Sequence, residues 1–162
     1  MYLAKNVSRY LAIIAVALFS LITFNAQAQA DYRGTKDDAV NMVNKAIEFY
    51  KQNGKDKAFA EFNNKSGQFT KGDLYVVVYD IKGKVLSHGA NPKMIGRDVI
   101  ELKDADGKQF VKERVEMMSK SANASGWQDY KFLNPVSRNI EQKSMYIKRH
   151  EDMIFGCGVY KN

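Results

Sequence analysis

The chain has 162 residues and a formal charge of +7, with one cysteine and two histidines. A single cysteine excludes an internal disulfide, and so few thiols and imidazoles leave no ordinary transition-metal ligand set. The bases alternate with acids, as in Lys103-Asp104-Ala105-Asp106 and Lys112-Glu113-Arg114-Glu116. That pattern is a solvated surface and lacks the clustered basic stripe of a nucleic-acid partner.

The chain opens with Lys5 and Arg9, continues through an uncharged apolar run over residues 10–24, and turns small and polar in Asn25-Ala26-Gln27-Ala28-Gln29-Ala30. This is the order of a secretory signal. Ala28 and Ala30 fit the narrow subsites of a signal peptidase, so cleavage after Ala30 and a mature start at Asp31 are expected. Ala26 and Ala28 offer a second register two residues earlier. The competing reading is a retained anchor, although a helix over that run covers only about 22 Å of a hydrocarbon core about 30 Å thick. Removing residues 1–30 lowers the charge to +5, because Lys5 and Arg9 leave and no acid does. Residues 31–162 then suffice for one domain, exported and most simply periplasmic.

Thr35 and Asp38 have capping-box spacing, and Val40, Val43, Ile47 and Tyr50 recur at helical intervals, predicting a helix over residues 36–52. Asn53-Gly54 interrupts it, and Ala58, Phe59 and Phe62 carry a shorter helix. The β-branched and aromatic run Leu74-Tyr75-Val76-Val77-Val78-Tyr79 ends in Asp80 to Lys84 and resumes at Val85, which reads as a hairpin. Residues 92–102 form a loop with one helical turn. A second helix is expected over residues 108–120, with Phe110 or Val111, Val115 and Met118 on one face. Three strands follow, over residues 126–132, 141–149 and 153–160. The class is α+β, an antiparallel sheet with helices packed on one face. Phe155, Gly156, Gly158 and Val159 around Cys157 predict a buried strand and an inert thiol.

These pieces together resemble a known family. Tyr75-Val76-Val77-Val78-Tyr79-Asp80 with Gly83 and His88 comes first, then Asn91-Pro92 with Ile95-Gly96. Asp106-Gly107-Lys108 with Phe110, Gly126-Trp127 with Tyr130, Asn134-Pro135, Lys143-Ser144 with Tyr146, and Gly156-Cys157-Gly158 with Tyr160 follow in order. Their order and spacing resemble single Cache domains of type 2, the PAS-like extracytoplasmic sensor modules. The resemblance implies a PAS-like Cache fold: a long N-terminal helix on a roughly five-stranded antiparallel sheet, with a pocket between the sheet and the loops around the short helix. It also implies binding of a small metabolite, often a short carboxylate, without turnover. The sequence ends at Asn162 with no second membrane helix and no signalling module, so a free-standing binding protein or accessory subunit is expected.

A carboxylate in an apolar pocket needs a cation or several donors. The candidate ligand-binding residues are Lys143, His88, Tyr130, Tyr75, Tyr79, Trp127 and Tyr146. In the strand over residues 141–149, period two puts Lys143, Met145 and Ile147 on one face; the opposite assignment turns Lys143 outward and packs Tyr146 inward. His88 either donates to a ligand oxygen or bonds a loop carbonyl. Tyr75, Val77 and Tyr79 share a face, whereas Trp127 and Tyr130 lie on opposite faces, and the resemblance favours Tyr130. Asn91 is in a turn for backbone reasons. Gly156 and Gly158 share a face and admit close approach of a helix or ligand.

Asp104-Ala105-Asp106-Gly107 fails as a calcium loop because Leu102 fills its first position, and His150-Glu151 lacks the second histidine of a zinc-protease helix. With no phosphate loop and no serine elbow, neither an enzyme nor a cofactor is expected. The partners expected are a small organic ligand, a carboxylate in the first instance, and a membrane-bound sensor or transporter. The rival class is a docking or self-associating module with no ligand of its own. No oligomeric state follows from the residues.

Overall fold

The computed structural model describes residues 32–161. The expected export segment and its cleavage site lie outside them. Helix α1 (Lys36–Asn53) begins where the capping box predicts: the Thr35 side chain accepts from the Asp38 N–H and the Asp38 carboxylate accepts from the Thr35 N–H. Its buried stripe is Ala39, Val43, Ala46 and Ile47. Gly54, at φ 74°, takes a left-handed conformation that glycine tolerates best, and there the chain leaves α1 and starts α2 (Lys55–Phe62).

A small hairpin of β1 (Thr70–Lys71) and β2 (Leu74–Tyr75) precedes β3 (Val77–Asp80) and β4 (Val85–His88). After a 3-10 turn at Pro92–Met94 come α3 (Phe110–Ser119), β5 (Ser125–Leu133), β6 (Ile140–His150) and β7 (Met153–Tyr160). The last five strands form one antiparallel sheet in the order β4-β3-β7-β6-β5. The α+β class and the long N-terminal helix on a five-stranded antiparallel sheet are as expected from the sequence. Among the described residues no helix is long and apolar enough to cross a membrane.

Three expectations change. The run over residues 74–79 is not one strand: at Val76 the N–H bonds the Phe69 carbonyl and the carbonyl accepts from Gly89, so the chain passes from the small hairpin to the main sheet. The helices do not share one face. Helix α1 covers one side, where Met42 meets Cys157, Asn44 meets Lys148 and Tyr50 meets Phe155. Helix α3 covers the other, where Phe110, Val111 and Met118 join Val77, Tyr79, Tyr130, Met145, Ile147 and Ile154 in one core. Finally, Arg114 does not belong to the solvated surface; it is 0% exposed, on the inner face of α3.

Candidate functional site

The strand register builds the α3-facing side of the sheet in rows. Tyr130, Lys143 and Tyr160 are successive partners across β5, β6 and β7; the next row is Gln128, Met145 and Gly158; the third is Gly126, Ile147 and Gly156, continued by Val77 and His88. Glycine at 156 and 158 is required by close approach. A Cβ on Gly158 would stand 2.4 Å from the Lys143 Cε, and one on Gly156 3.0 Å from the Met145 sulfur. What approaches these glycines is the neighbouring strand's side chains.

Lys143 shares its face with Met145 and Ile147, and all three are buried. Its ammonium donates to the Tyr75 hydroxyl (2.8 Å) and the Tyr160 hydroxyl (3.1 Å), while the Tyr160 hydroxyl donates to the Leu133 carbonyl (2.8 Å). The same nitrogen stands 4.0 Å from the Tyr75 ring centroid and 4.5 Å from that of Tyr160, a cation held by aromatic faces. Among the described residues no carboxylate comes within ion-pair distance of it; the pairs that exist involve other groups. Burial, with the nearby Arg114 charge adding to it, lowers the Lys143 pKa to about 7. Burial also drives the Tyr75, Tyr130 and Tyr160 hydroxyls upward, so they remain neutral donors.

His88 closes β4 and stacks on Tyr75 with centroids 5.0 Å apart. Its backbone N–H is held by the Asn63 side chain at the end of α2. Nδ1 of the imidazole accepts from a loop amide, the Asn91 backbone N–H (3.0 Å), where a bond to a loop carbonyl was one expectation, and this leaves Nε2 carrying the hydrogen. Burial, then the Lys143 charge, lowers its pKa to about 3 and keeps it neutral. Asn91 serves its turn, its side chain accepting from the Lys93 N–H.

Arg114 was missed because it sits in a run of charges. From α3 it donates through Nε (3.2 Å) and Nη2 (3.0 Å) to the Gln128 side-chain oxygen, and its guanidinium carbon lies 4.9 Å from the Tyr79 ring centroid and 5.3 Å from that of Tyr130. A sequence clue existed: position 114 falls three and four residues from Val111, Phe110 and Met118, on the buried stripe. Tyr160 and Gln128 were likewise not singled out as ligand residues.

The structure thus gathers Lys143, Tyr75, Tyr130 and His88 on one side of the sheet, with Tyr79 reaching them through Arg114. It puts Trp127 and Tyr146 elsewhere. They pair with each other across β5 and β6 on the α1 side, their rings 5.5 Å apart and the Lys36 ammonium 4.8 Å from Trp127. A cleft of about 180 Å³ opens beside Tyr75, between the β1–β2 hairpin, Gly89-Ala90 and the β5–β6 turn at Pro135 and Arg138. Cys157 faces α1, its thiol pushed up to about 12 by burial. Among the described residues no cluster of His, Cys, Asp or Glu could hold a metal.

Three solved structures are similar in fold. A methyl-accepting chemotaxis protein from Vibrio parahaemolyticus has a TM-score of 0.64 at 22% identity, covering 77% of this chain and 87% of that one. The periplasmic sensor domain of a chemotaxis protein has a TM-score of 0.59 at 19% identity, covering 78% and 90%. A Cache chemosensory domain solved for its recognition of carboxylic acids has a TM-score of 0.59 at 21% identity, covering 75% and 85%. No curated protein sequence matches the chain. Residues 24–162 match the family model described as Single Cache domain 2, and with the fold and its register this places the chain in that family of PAS-like, ligand-binding sensor domains.

Proposed function

We propose that residues 31–162 form an exported, periplasmic binding domain for a short carboxylate, held by Lys143 with Tyr75, Tyr130, Tyr160 and His88 around it. The observation that carries this is the Lys143 ammonium: fully buried, hydrogen-bonded to the Tyr75 and Tyr160 phenols, and among the described residues with no carboxylate within ion-pair distance, the buried Asp73 acting on it only from farther off. A buried cation is costly unless an anion reaches it, and a ligand carboxylate supplies one. His88 Nε2–H and the Tyr75 hydroxyl are neutral donors suited to the remaining oxygen lone pairs, while Tyr160 gives its proton to the Leu133 carbonyl and Tyr130 gives its own to the Met145 sulfur. The recognition of carboxylic acids by a structurally similar Cache domain supports the same ligand class. The cleft beside Tyr75 is the approach. The ligand-bound domain then reports to a membrane-bound sensor or transporter, after signal-peptide cleavage near Ala30.

The test is a thermal-shift series on ligand-free protein, since a ligand of the folded state raises Tm with concentration. Short carboxylates are expected to stabilise the wild type and not Lys143→Met, while Trp127→Ala, altered on the opposite sheet face, keeps the response. An undiminished shift in Lys143→Met removes Lys143 from the site. No response to any carboxylate, with nothing released from the denatured protein by mass spectrometry, rejects the carboxylate reading in favour of a docking module.

A further inference from the structure

The turn between β5 and β6 keeps polar groups inside and shows apolar ones to solvent, the reverse of an ordinary turn. The buried Asn134 accepts through its side-chain oxygen from the Val136 N–H (2.9 Å) and the Ser137 N–H (3.4 Å), and its amide donates to the Glu141 carboxylate (2.7 Å). The Ser137 hydroxyl donates to the other Glu141 oxygen, and the Asn134 and Asn139 backbones close the turn between them. Glu141 is the only acid in residues 131–142, so the turn's one negative charge is occupied within it. Around this ordered frame Leu133 and Ile140, direct cross-strand partners, and Val136 at the tip are 49%, 62% and 44% exposed. They are three of the five large hydrophobic side chains exposed among the described residues. Apolar residues exposed singly are normal, whereas three gathered on one rigid turn mark a contact surface.

The turn also has a definite place. Pairing of β6 with β7 stops at Lys143 and Tyr160, so β5 and β6 run on as a hairpin past the end of β7. The described chain enters at the same end: Arg33 lies 3.8 Å from Glu141, and the Gly34 N–H donates to Asp73 (2.8 Å) in the β1–β2 hairpin. In sequence the expected export segment precedes Arg33, so this is the end of the domain that emerges next to the membrane. The exposed bases Arg33, Lys65 and Arg138 surround the tip, the last two lining one cleft with Pro135.

We propose that the β5–β6 turn seats the exported domain on an anionic lipid bilayer, with Leu133, Val136 and Ile140 entering the headgroup region and Arg33, Lys65 and Arg138 meeting lipid phosphates. A projecting tip of three apolar side chains falls short of the roughly 800 Å² per partner of a stable protein interface. A membrane surface needs only a small apolar area backed by bases. The seat does not depend on which ligand the pocket takes.

The experiment is flotation of the protein recovered from the periplasm with vesicles of phosphatidylethanolamine and phosphatidylglycerol, against vesicles of phosphatidylcholine alone. Wild type is expected to float with the anionic vesicles and to be released as salt is raised to about 0.5 M. The doubly substituted Leu133→Ser, Ile140→Ser protein should bind about tenfold or more weakly with an unchanged far-ultraviolet spectrum. Both proteins carry the same N-terminus, checked by mass spectrometry, so the difference belongs to the turn. A polarity-sensitive fluorophore on Val136→Cys, the native Cys157 being buried, should shift to the blue on anionic vesicles. Equal binding by the wild type and the double variant overturns the proposal, as does a fluorophore at position 136 that stays in water on vesicles. Failure of wild type to bind vesicles also overturns it; concentration-dependent self-association lost in the double variant would then assign the turn to a contact between copies of the chain.

Discussion

Replacing Lys143 by Met should make the ligand-free domain more stable at neutral pH while abolishing anion binding. The folded pKa of Lys143 is about 7 against an ordinary 10.5, so the unfolded chain holds that proton more tightly than the native state. Below pH 7 both states are protonated and the native state carries the full penalty, about 5 kcal/mol at most from about 1.4 kcal/mol per pK unit. Between pH 7 and 10.5 the unfolded state binds more protons, so the sign is positive and stability rises with pH at up to about 1.4 kcal/mol per unit. Met preserves the apolar stem and removes the titration. Urea denaturation of both proteins from pH 6 to 9.5 should show the variant ahead by several kcal/mol at pH 6 and the gap closing steadily above 7. Parallel wild-type and variant profiles across that window would refute the claim that burial disfavours the Lys143 charge.

Two further outcomes follow from the same geometry. Gly158→Ala would set a methyl 2.4 Å from the Lys143 Cε, so the ammonium must move off Tyr75 and Tyr160; ligand affinity, measured by titration, should fall about tenfold or more while the far-ultraviolet spectrum stays native. His88, held neutral with a pKa lowered to about 3 by burial, takes up its proton more readily when unfolded. Its contribution to stability is therefore present above pH 6.5 and lost as pH falls from 6.5 toward 3; His88→Gln should flatten the acid limb of the denaturation profile, and an unchanged limb would show that His88 is not buried neutral.

The elements were legible because local chemistry and burial agree along most of this chain. Thr35 and Asp38 mark the start of α1, and the strand over residues 153–160 ends where the apolar run ends. Period two also put Lys143 on the face of Met145 and Ile147. Where the reading failed, long-range partners decided. Val76 changes hydrogen-bond partners because Phe69 and Gly89 are brought to it from distant parts of the chain. The side of the sheet taken by α3 depends on which face the rows of Tyr130 and Ile147 present, and strand order is not written in any one segment. Arg114 looked like a surface charge because its neighbours Lys112, Glu113 and Glu116 are charged; only Gln128, Tyr79 and Tyr130, from the strands, show why it is inside. Trp127 and Tyr146 were grouped with the site by residue type, and alternation along β5 and β6 sends both to the α1 side.

The position of β7 constrains how the sheet can assemble. It is the last strand in sequence but lies in the middle of the sheet, between β3 and β6. The β3–β4 and β5–β6 hairpins can each close locally, but nothing joins them until residues 153–160 arrive, and Tyr160 brings one of the two hydroxyls on Lys143 with it. A chain made N-terminus first therefore lacks the strand that joins its two hairpins until the last residues are available, and the complete sheet and the full surroundings of the lysine depend on the same terminal segment.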